Sequence, residues 1–466
     1  MKMIFYKKSM PEKINGKLVL IITSVCAFMT PFMVSSVNIA LPTIGREFMA
    51  NAVYLNWIVT AYLLTTAALL LPIGRIADIK GRVKILRIGL FVIAAGAALC
   101  AVSVNIHMLI VARVIQGIGA SMDFSTSTAI LVSSFPVEKR GKVLGFNVAV
   151  VYTGLSSGPF IGGLITEYFG WRGIFLFTLA LSIAAIILVG AWYKTDWVEA
   201  KGEKFDLRGS VFYGASLVAI IYGFSLLPDF TGFALTAAGV IAFLLFIRYE
   251  SKQDDPVLNT SLFLSNKAFA FSNIAALINY AATYAVSFLL SLYLQYIKLL
   301  TPKEAGIVLI AQPVMQAVFS PFCGRISDKI EPRIVASTGM FITAVGLCIL
   351  TFLTEQTSLF FIIISLLFLG FGFALFSSPN TNAIMSSVEK KYFGVAASTQ
   401  STMRLMGQMF SMGIAMIIFS VFIGKIQITP KVHAALLTSI RIAFIVFSAL
   451  CFTGVFASLS RGKIRE

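Results

Sequence analysis

Arg113 and Asp123 are the two residues of this chain whose chemistry is hardest to place. Both fall in the run from His107 to Leu131, HMLIVARVIQGIGASMDFSTSTAIL, which is otherwise apolar enough to lie in hydrocarbon. A charge there costs at least a few kcal/mol, so an ionisable side chain in a spanning helix is a functional candidate from the outset. Asp123 is the only one of the 20 acidic residues that falls well inside a hydrophobic run. If the protein moves protons, this carboxyl group is the first candidate to carry them. The separation of Arg113 from Asp123 corresponds to about 15 Å of helix rise, so the two do not pair and each needs a partner from elsewhere. Gln116, Gly119, Ala120, Asp123 and Ser127 recur at three- and four-residue spacing, which gathers small and polar side chains on one helix face. That face is expected to look into a bundle or a watery cavity.

A second polar set sits further along. The run that ends at Ile297 carries Asn279, Tyr280, Thr283 and Tyr284, with Asn273, Ser287 and Gln295, mostly on one helical face. Asn38, Gln116 and Asn380 are expected to join the first four around a central cavity, together with Arg404, which is also a structural alternative as the partner of Asp123. The 41 phenylalanines suit an adaptable apolar pocket for a lipophilic or cationic small molecule, although most aromatic side chains of a membrane helix face lipid.

Other chemistries are excluded by what is missing. Cys26, Cys100, Cys323, Cys348 and Cys451 are scattered without a CxxC pair, which supports neither a disulfide framework nor a metal site. His107 and His433 are isolated. No GxxxxGK[ST] segment is present to bind ATP phosphates. No nucleophile, base or metal set converges as an enzyme would require, so neither catalysis nor a cofactor is expected, and any pumping must draw on a gradient.

The elements that must position these residues follow from composition. Of 466 residues, 58% are hydrophobic and 12% charged, with a mean hydropathy of +0.90, the balance of an integral membrane protein rather than a soluble domain. Fourteen largely uncharged runs, from Leu18–Leu41 to Ala434–Leu459, come close to the ~20 residues needed to cross a bilayer. The fold expected is an all-α polytopic membrane protein. The net charge of +17 does not signal nucleic acid, because the basic residues lie between the runs. The tails and the loops after even-numbered runs hold 28 of the 37 Lys and Arg, which places both termini in the cytoplasm.

The chain also repeats itself. Gly74-Arg75-Ile76-Ala77-Asp78 recurs as Gly324-Arg325-Ile326-Ser327-Asp328, 250 residues later, and Gly117, Gly119 and Gly154 recur as Gly370, Gly372 and Gly407, 253 residues later. Two six-helix repeats are expected, residues 1–193 and 268–466, with two inserted helices and their flanking loops at 194–267. Paired halves of this kind place a substrate site near the midplane between them.

These segments resemble a known family. GRIADIKGRVK (Gly74–Lys84), RVIQGIG (Arg113–Gly119) and GLSSGPFIGG (Gly154–Gly163) are similar to signatures of the major facilitator superfamily. VNIALP (Val37–Pro42), NWIVTAYLL (Asn56–Leu64), GWRGIF (Gly170–Phe175) and LYLQ (Leu292–Gln295) resemble its fourteen-helix drug:proton antiporter branch. The resemblance implies a secondary transporter that exports amphipathic or cationic compounds in exchange for protons by alternating access. A plasma-membrane location is expected, and a monomer. A facilitator, or a carrier of metabolites or lipids without proton antiport, is the alternative.

It also implies roles. In the first signature, Gly74 and Gly81 permit a tight turn, while Asp78 can pair with Arg75 or Arg82. The resemblance makes that loop and its repeat at Gly324, Arg325 and Asp328 a gate. Gly154, Gly158, Gly162 and Gly163 form a close-packing face around the helix-bending Pro159, read by resemblance as an antiporter seal, and Arg113 is assigned to proton coupling. The first helix of that branch usually carries an acid shortly before the VNIALP-like segment. Met33 stands in its place here, and Asp123 is the residue expected to substitute for it.

The charge asymmetry makes a direct prediction. Alkaline phosphatase fused after residue 104 is expected to be active, and fused after residue 140 inactive, by at least about tenfold. Equal activities would abolish the assigned orientation, and the opposite ratio would reverse it.

Overall fold

Hydrocarbon offers a peptide group no hydrogen-bond partner, so a chain this apolar crosses it only with its backbone satisfied within each segment. The computed structural model describes residues 16–192, 198, 205–253, 263, 265–389, 393–424 and 426–462. Among them, fourteen helices are long and apolar enough to span a membrane. In chain order they are α1 (Gly16–Glu47), α2 (Ala52–Lys80), α3 (Arg82–Ala101), α4 (Ile106–Ser133), α5 (Gly145–Phe169), α6 (Arg172–Ala191), α7 (Leu207–Leu226), α8 (Phe230–Glu250), α9 (Lys267–Ile297), α10 (Pro302–Ser327), α11 (Pro332–Leu350), α12 (Leu359–Ser386), α13 (Val395–Phe422) and α14 (Pro430–Leu459).

The sequence repeat is a repeat of packing. A Cβ added at Gly119 would stand 2.6 Å from the Ile93 amide and 2.7 Å from the Gly89 carbonyl oxygen, so α3 and α4 touch backbone to backbone. In the second half a Cβ at Gly372 would stand 2.8 Å from the Thr343 amide, and one at Gly339 would stand 2.7 Å from the Gly372 carbonyl oxygen. Gly117 meets Tyr62 and Thr65 of α2, while Gly370 meets Gln312 and Met315 of α10, 250 residues further on. Gly154 packs on Phe28 and Phe32 of α1, and Gly407 on Leu277, Tyr280 and Ala281 of α9. The recurrent glycines therefore sit where two helices of one half come closest, the small-residue packing that lipid-embedded helices use in place of a hydrophobic driving force.

The inserted pair does not belong to either half. Gly223 and Gly239 let α7 and α8 pack closely on each other. The Tyr213 hydroxyl on α7 donates to the Ala67 carbonyl of α2 at 3.0 Å, and Phe224 of α7 packs on Gly413 of α13. So α7 straddles the seam between α2 and α13. Behind it α8 turns Phe233, Ile241, Leu244 and Leu245 outward.

Two details differ from expectation. Gly74 lies inside α2, not in a turn: the helix continues to Lys80 and breaks only at Gly81, whose φ of +110° is open to glycine at no steric cost. Likewise the helix through Gly324 continues to Lys329. Charged side chains can reach water from a helix that outlasts the hydrocarbon, so charge marked the edge of the apolar run and not the end of the helix. Two prolines inside continuous helices and two true interruptions are central. Pro31 and Pro159 lie within α1 and α5, α9 is interrupted at Tyr284, and α10 at Ile310, before Pro313.

Gly119→Val and Gly372→Val should each lower the thermal unfolding midpoint of the purified protein, at the about 1–3 kcal/mol typical of overpacking. Gly190→Ala, where nothing stands within 4 Å of the new Cβ, should leave it unchanged. A normal midpoint for Gly119→Val would mean the α3–α4 contact is looser than described.

Candidate functional site

These prolines and interruptions surround a central, partly open cavity of about 110 Å3. Pro31, Pro159, Tyr284 and Pro313 all line it. An interrupted helix exposes carbonyl and amide groups that hydrocarbon would not tolerate and a cavity can, which is why irregular backbone gathers at such sites.

Of the eight residues expected at the cavity, Asn38, Tyr280, Thr283, Tyr284 and Arg404 line it. Asn279 and Asn380 stand behind the wall, both buried. Asn380 donates to the Ser272 carbonyl at 3.1 Å, while neither polar atom of the Asn279 amide has a partner. Asn279 precedes Tyr280 by one position, about 100° around the helix, enough to take it off the cavity face. Gln116 faces a separate inner packing gap too tight for a water, shared with Met33 and Ala120. Sequence reasoning did not single out Gln312, Gln316 and Gln408, which bring three amides to the main cavity, nor Tyr62, Tyr152 and Thr30. A signal existed: Gln312 and Gln316, and Arg404 and Gln408, are each four residues apart on apolar spans, stacked on one face.

Arg113 is fully buried and held without an acid. Its Nε donates to the Ile58 carbonyl at 3.0 Å. One terminal nitrogen donates to Gln116 Oε1 at 2.6 Å and lies 3.4 Å from Met33 Sδ. The guanidinium rests 4.4 Å from the centre of the Tyr62 ring, and the other terminal nitrogen has no partner. The thioether of Met33 thus touches the arginine from α1, where the branch resemblance leads one to look for a carboxylate.

Asp123 is 1% exposed. Thr30 of α1 donates to its Oδ2 at 3.3 Å, and its Oδ1 has no partner. The Cys26 thiol and the Ser127 hydroxyl lie beside the same carboxyl group. Arg404 is not its partner, because that guanidinium lies 5.8 Å from the centre of the Phe124 ring. Asp123 does not line the cavity. Thr30 does, and so does Tyr62, and both also border the inner gap. Two side chains therefore separate the cavity from the two buried charges, one in front of each.

One end of the cavity is shut by contacts between halves. Ser291 donates to the Asn38 carbonyl at 2.7 Å, Gln295 to the Ile39 carbonyl at 2.8 Å, and Tyr296 to the Pro42 carbonyl at 3.3 Å. Arg46 reaches back to the Gln295 carbonyl at 3.1 Å. The expected seal glycines divide their work. Gly154, Gly158 and Gly162 press α5 on Phe28, Ser35 and Ser36 of α1, while Gly163 meets the Pro302 carbonyl of the other half. Opposite Pro159 stands Gly306, where a Cβ would come within 2.3 Å of the proline carbonyl oxygen.

The expected gate lies at the other end. Arg82 pairs with Asp78 at 2.7 Å and donates to the Ser133 hydroxyl at 2.9 Å. This ties α2, α3 and α4 together within one half. In the repeat, Gly324 approaches Ser378 as Gly74 approaches Ser125, 253 residues earlier. Arg325 is exposed, and the Asp328 side chain lies outside the described residues.

Comparison with known proteins agrees with this geometry. Residues 23–264 and 272–463 match the profile of the Major Facilitator Superfamily. The chain is 32% identical over 408 residues to the riboflavin transporter RibZ of Clostridioides difficile, covering 88% of each protein. It is 28% identical to the multidrug resistance protein Stp of Mycobacterium tuberculosis, over 84% of this chain and 73% of that one. It is 27% identical to the tetracenomycin C resistance and export protein of Streptomyces glaucescens, over 80% and 70% respectively.

Gly306→Ala should loosen the shut end, raising amide hydrogen exchange across residues 288–297 by about tenfold or more while the cores of the halves stay protected. Unchanged exchange there would show that the α5–α10 contact does not hold that end closed.

Proposed function

The chain belongs to the Major Facilitator Superfamily, a family of membrane transporters rather than enzymes, and on that premise we propose that it exports amphipathic small molecules in exchange for protons. The drug-resistance names among its relatives support the export reading. It acts as a monomer in the plasma membrane with both termini in the cytoplasm, so the shut end faces outward and the cavity is loaded from within. The halves 1–193 and 268–466 rock about the cavity, and the Asp78–Arg82 pair, with its counterpart at Asp328, braces the cytoplasmic end during that motion.

The observation that carries the proton reading is Asp123, held between α1 and α4 with one oxygen on Thr30 and the other unpaired. Charged and neutral forms of a carboxyl group cost very different amounts in such a place, so gaining or losing a proton biases how α1 sits on α4. Thr30 lines the cavity and touches Asp123, and Tyr62 lines it and touches Arg113. A ligand against these two side chains and a proton on Asp123 therefore act on the same contacts, which is the differential interaction that coupling requires.

Two observations favour a second reading, a metabolite carrier without proton antiport: Met33 in place of the first-helix acid, and the relative named for riboflavin. Everted vesicles separate the readings. An imposed pH gradient should drive dye accumulation, dye addition should release protons, and Asp123→Asn should abolish both while dye binding persists within about threefold. Full pH-driven transport in Asp123→Asn would remove that residue from coupling, and transport indifferent to the gradient in the unmodified protein would favour the carrier.

A further inference from the structure

The charge of the cavity wall bears on what the cavity accepts. Aromatic rings supply much of the wall, from Tyr62, Phe124, Tyr152, Tyr280, Tyr284 and Phe373. Asn38, Gln312, Gln316 and Gln408 add neutral amides. Among the described residues lining the cavity there is no carboxylate, and the only charged side chain is Arg404.

Several of these groups lack partners. The hydroxyls of Tyr62 and Tyr284, Asn38 Oδ1 and Gln316 Nε2 are buried without a hydrogen bond. The residues of the wall thus carry both donors and acceptors with unused hydrogen-bonding capacity. Arg404 has the Phe124 ring as its neighbour and no carboxylate. Arg404 is half-buried in the wall, and a planar anionic group would satisfy its guanidinium with two parallel hydrogen bonds. Asp123, the acid inside an apolar span of the other half, is turned the other way, onto Thr30 of α1. A cationic ligand would meet the positive charge of Arg404 with no lining carboxylate to offset the repulsion.

We propose that the cavity selects flat aromatic ligands that are neutral or negatively charged, with rings held between tyrosines, polar edges read by the amides, and the anionic group paired with Arg404. This deepens the transport reading of the cavity and rests on it, and it departs from the expectation of a cationic substrate.

The test uses the full chain in phosphatidylcholine nanodiscs and three three-ring dyes of nearly equal size: resorufin, an anion at neutral pH; acridone, neutral; and proflavine, a cation. Fluorescence anisotropy, corrected with empty nanodiscs, reads binding. Resorufin should bind more tightly than proflavine by about tenfold, the scale of one charge-assisted contact. Arg404→Gln should erase that ratio and Arg404→Lys should keep the order, each variant first shown to be monodisperse. Proflavine binding as tightly as resorufin, a ratio unchanged in Arg404→Gln, or no dye binding at all would each overturn the proposal. Ser287→Trp, which fills the cavity, separates this from the broader reading. If it removes whatever dye binds, the cavity remains the ligand site whichever charge it prefers. Binding that survives Ser287→Trp would place the site elsewhere and sink both.

Discussion

Every charge inside a bilayer must be housed by the protein that carries it, because lipid tails offer neither water nor counter-ions. The arrangement around α4 answers that constraint twice. Arg113 is wrapped by a carbonyl, an amide, a thioether and an aromatic face, and Asp123 by hydroxyls and a thiol. Neither is neutralised by an opposite charge. Such housing is conditional, since it depends on α1 and α2 standing where they do. A helix displacement of an ångström or two changes the cost of each charge, and a changed charge presses back on the helices.

The halves are rigid where glycine allows backbones to touch and interrupted where α9 opens at Tyr284 and α10 at Ile310. Both features come from the same physics. Without a hydrophobic drive between helices, contact must come from close van der Waals approach, so the α1–α5 and α3–α4 pairs behave as single blocks. Unsatisfied backbone is tolerated only beside a polar space, so the interruptions converge on the cavity. At the shut end the halves are joined instead by side-chain hydrogen bonds to α1 carbonyls.

The fold was largely legible because hydropathy and a repeated glycine pattern each report a strong constraint. Asp123 and Arg113 stood out because charge in an apolar run is rare. The neutral amides were harder to see. Gln312, Gln316 and Gln408 cost far less than a charge in hydrocarbon, so their presence in apolar spans raises little alarm, and only their four-residue spacing marks them. Asn279 shows the opposite error: it shares a polar run with Tyr280 and Thr283, yet one residue of helical rotation carries it behind the wall. Gly74 looked like a turn because loops and helix ends share the same charged alphabet.

The inserted pair makes the two sides of the molecule unequal. Where α2 meets α13 the join is strapped by α7, anchored through Tyr213 on one side and Phe224 on the other, whereas α5 and α10 meet across bare backbone at Pro159 and Gly306. The insert thus breaks the twofold likeness of the halves, giving the α2–α13 flank an outer brace that the α5–α10 flank, joined directly at Gly306, Gly163 and Lys303, does without.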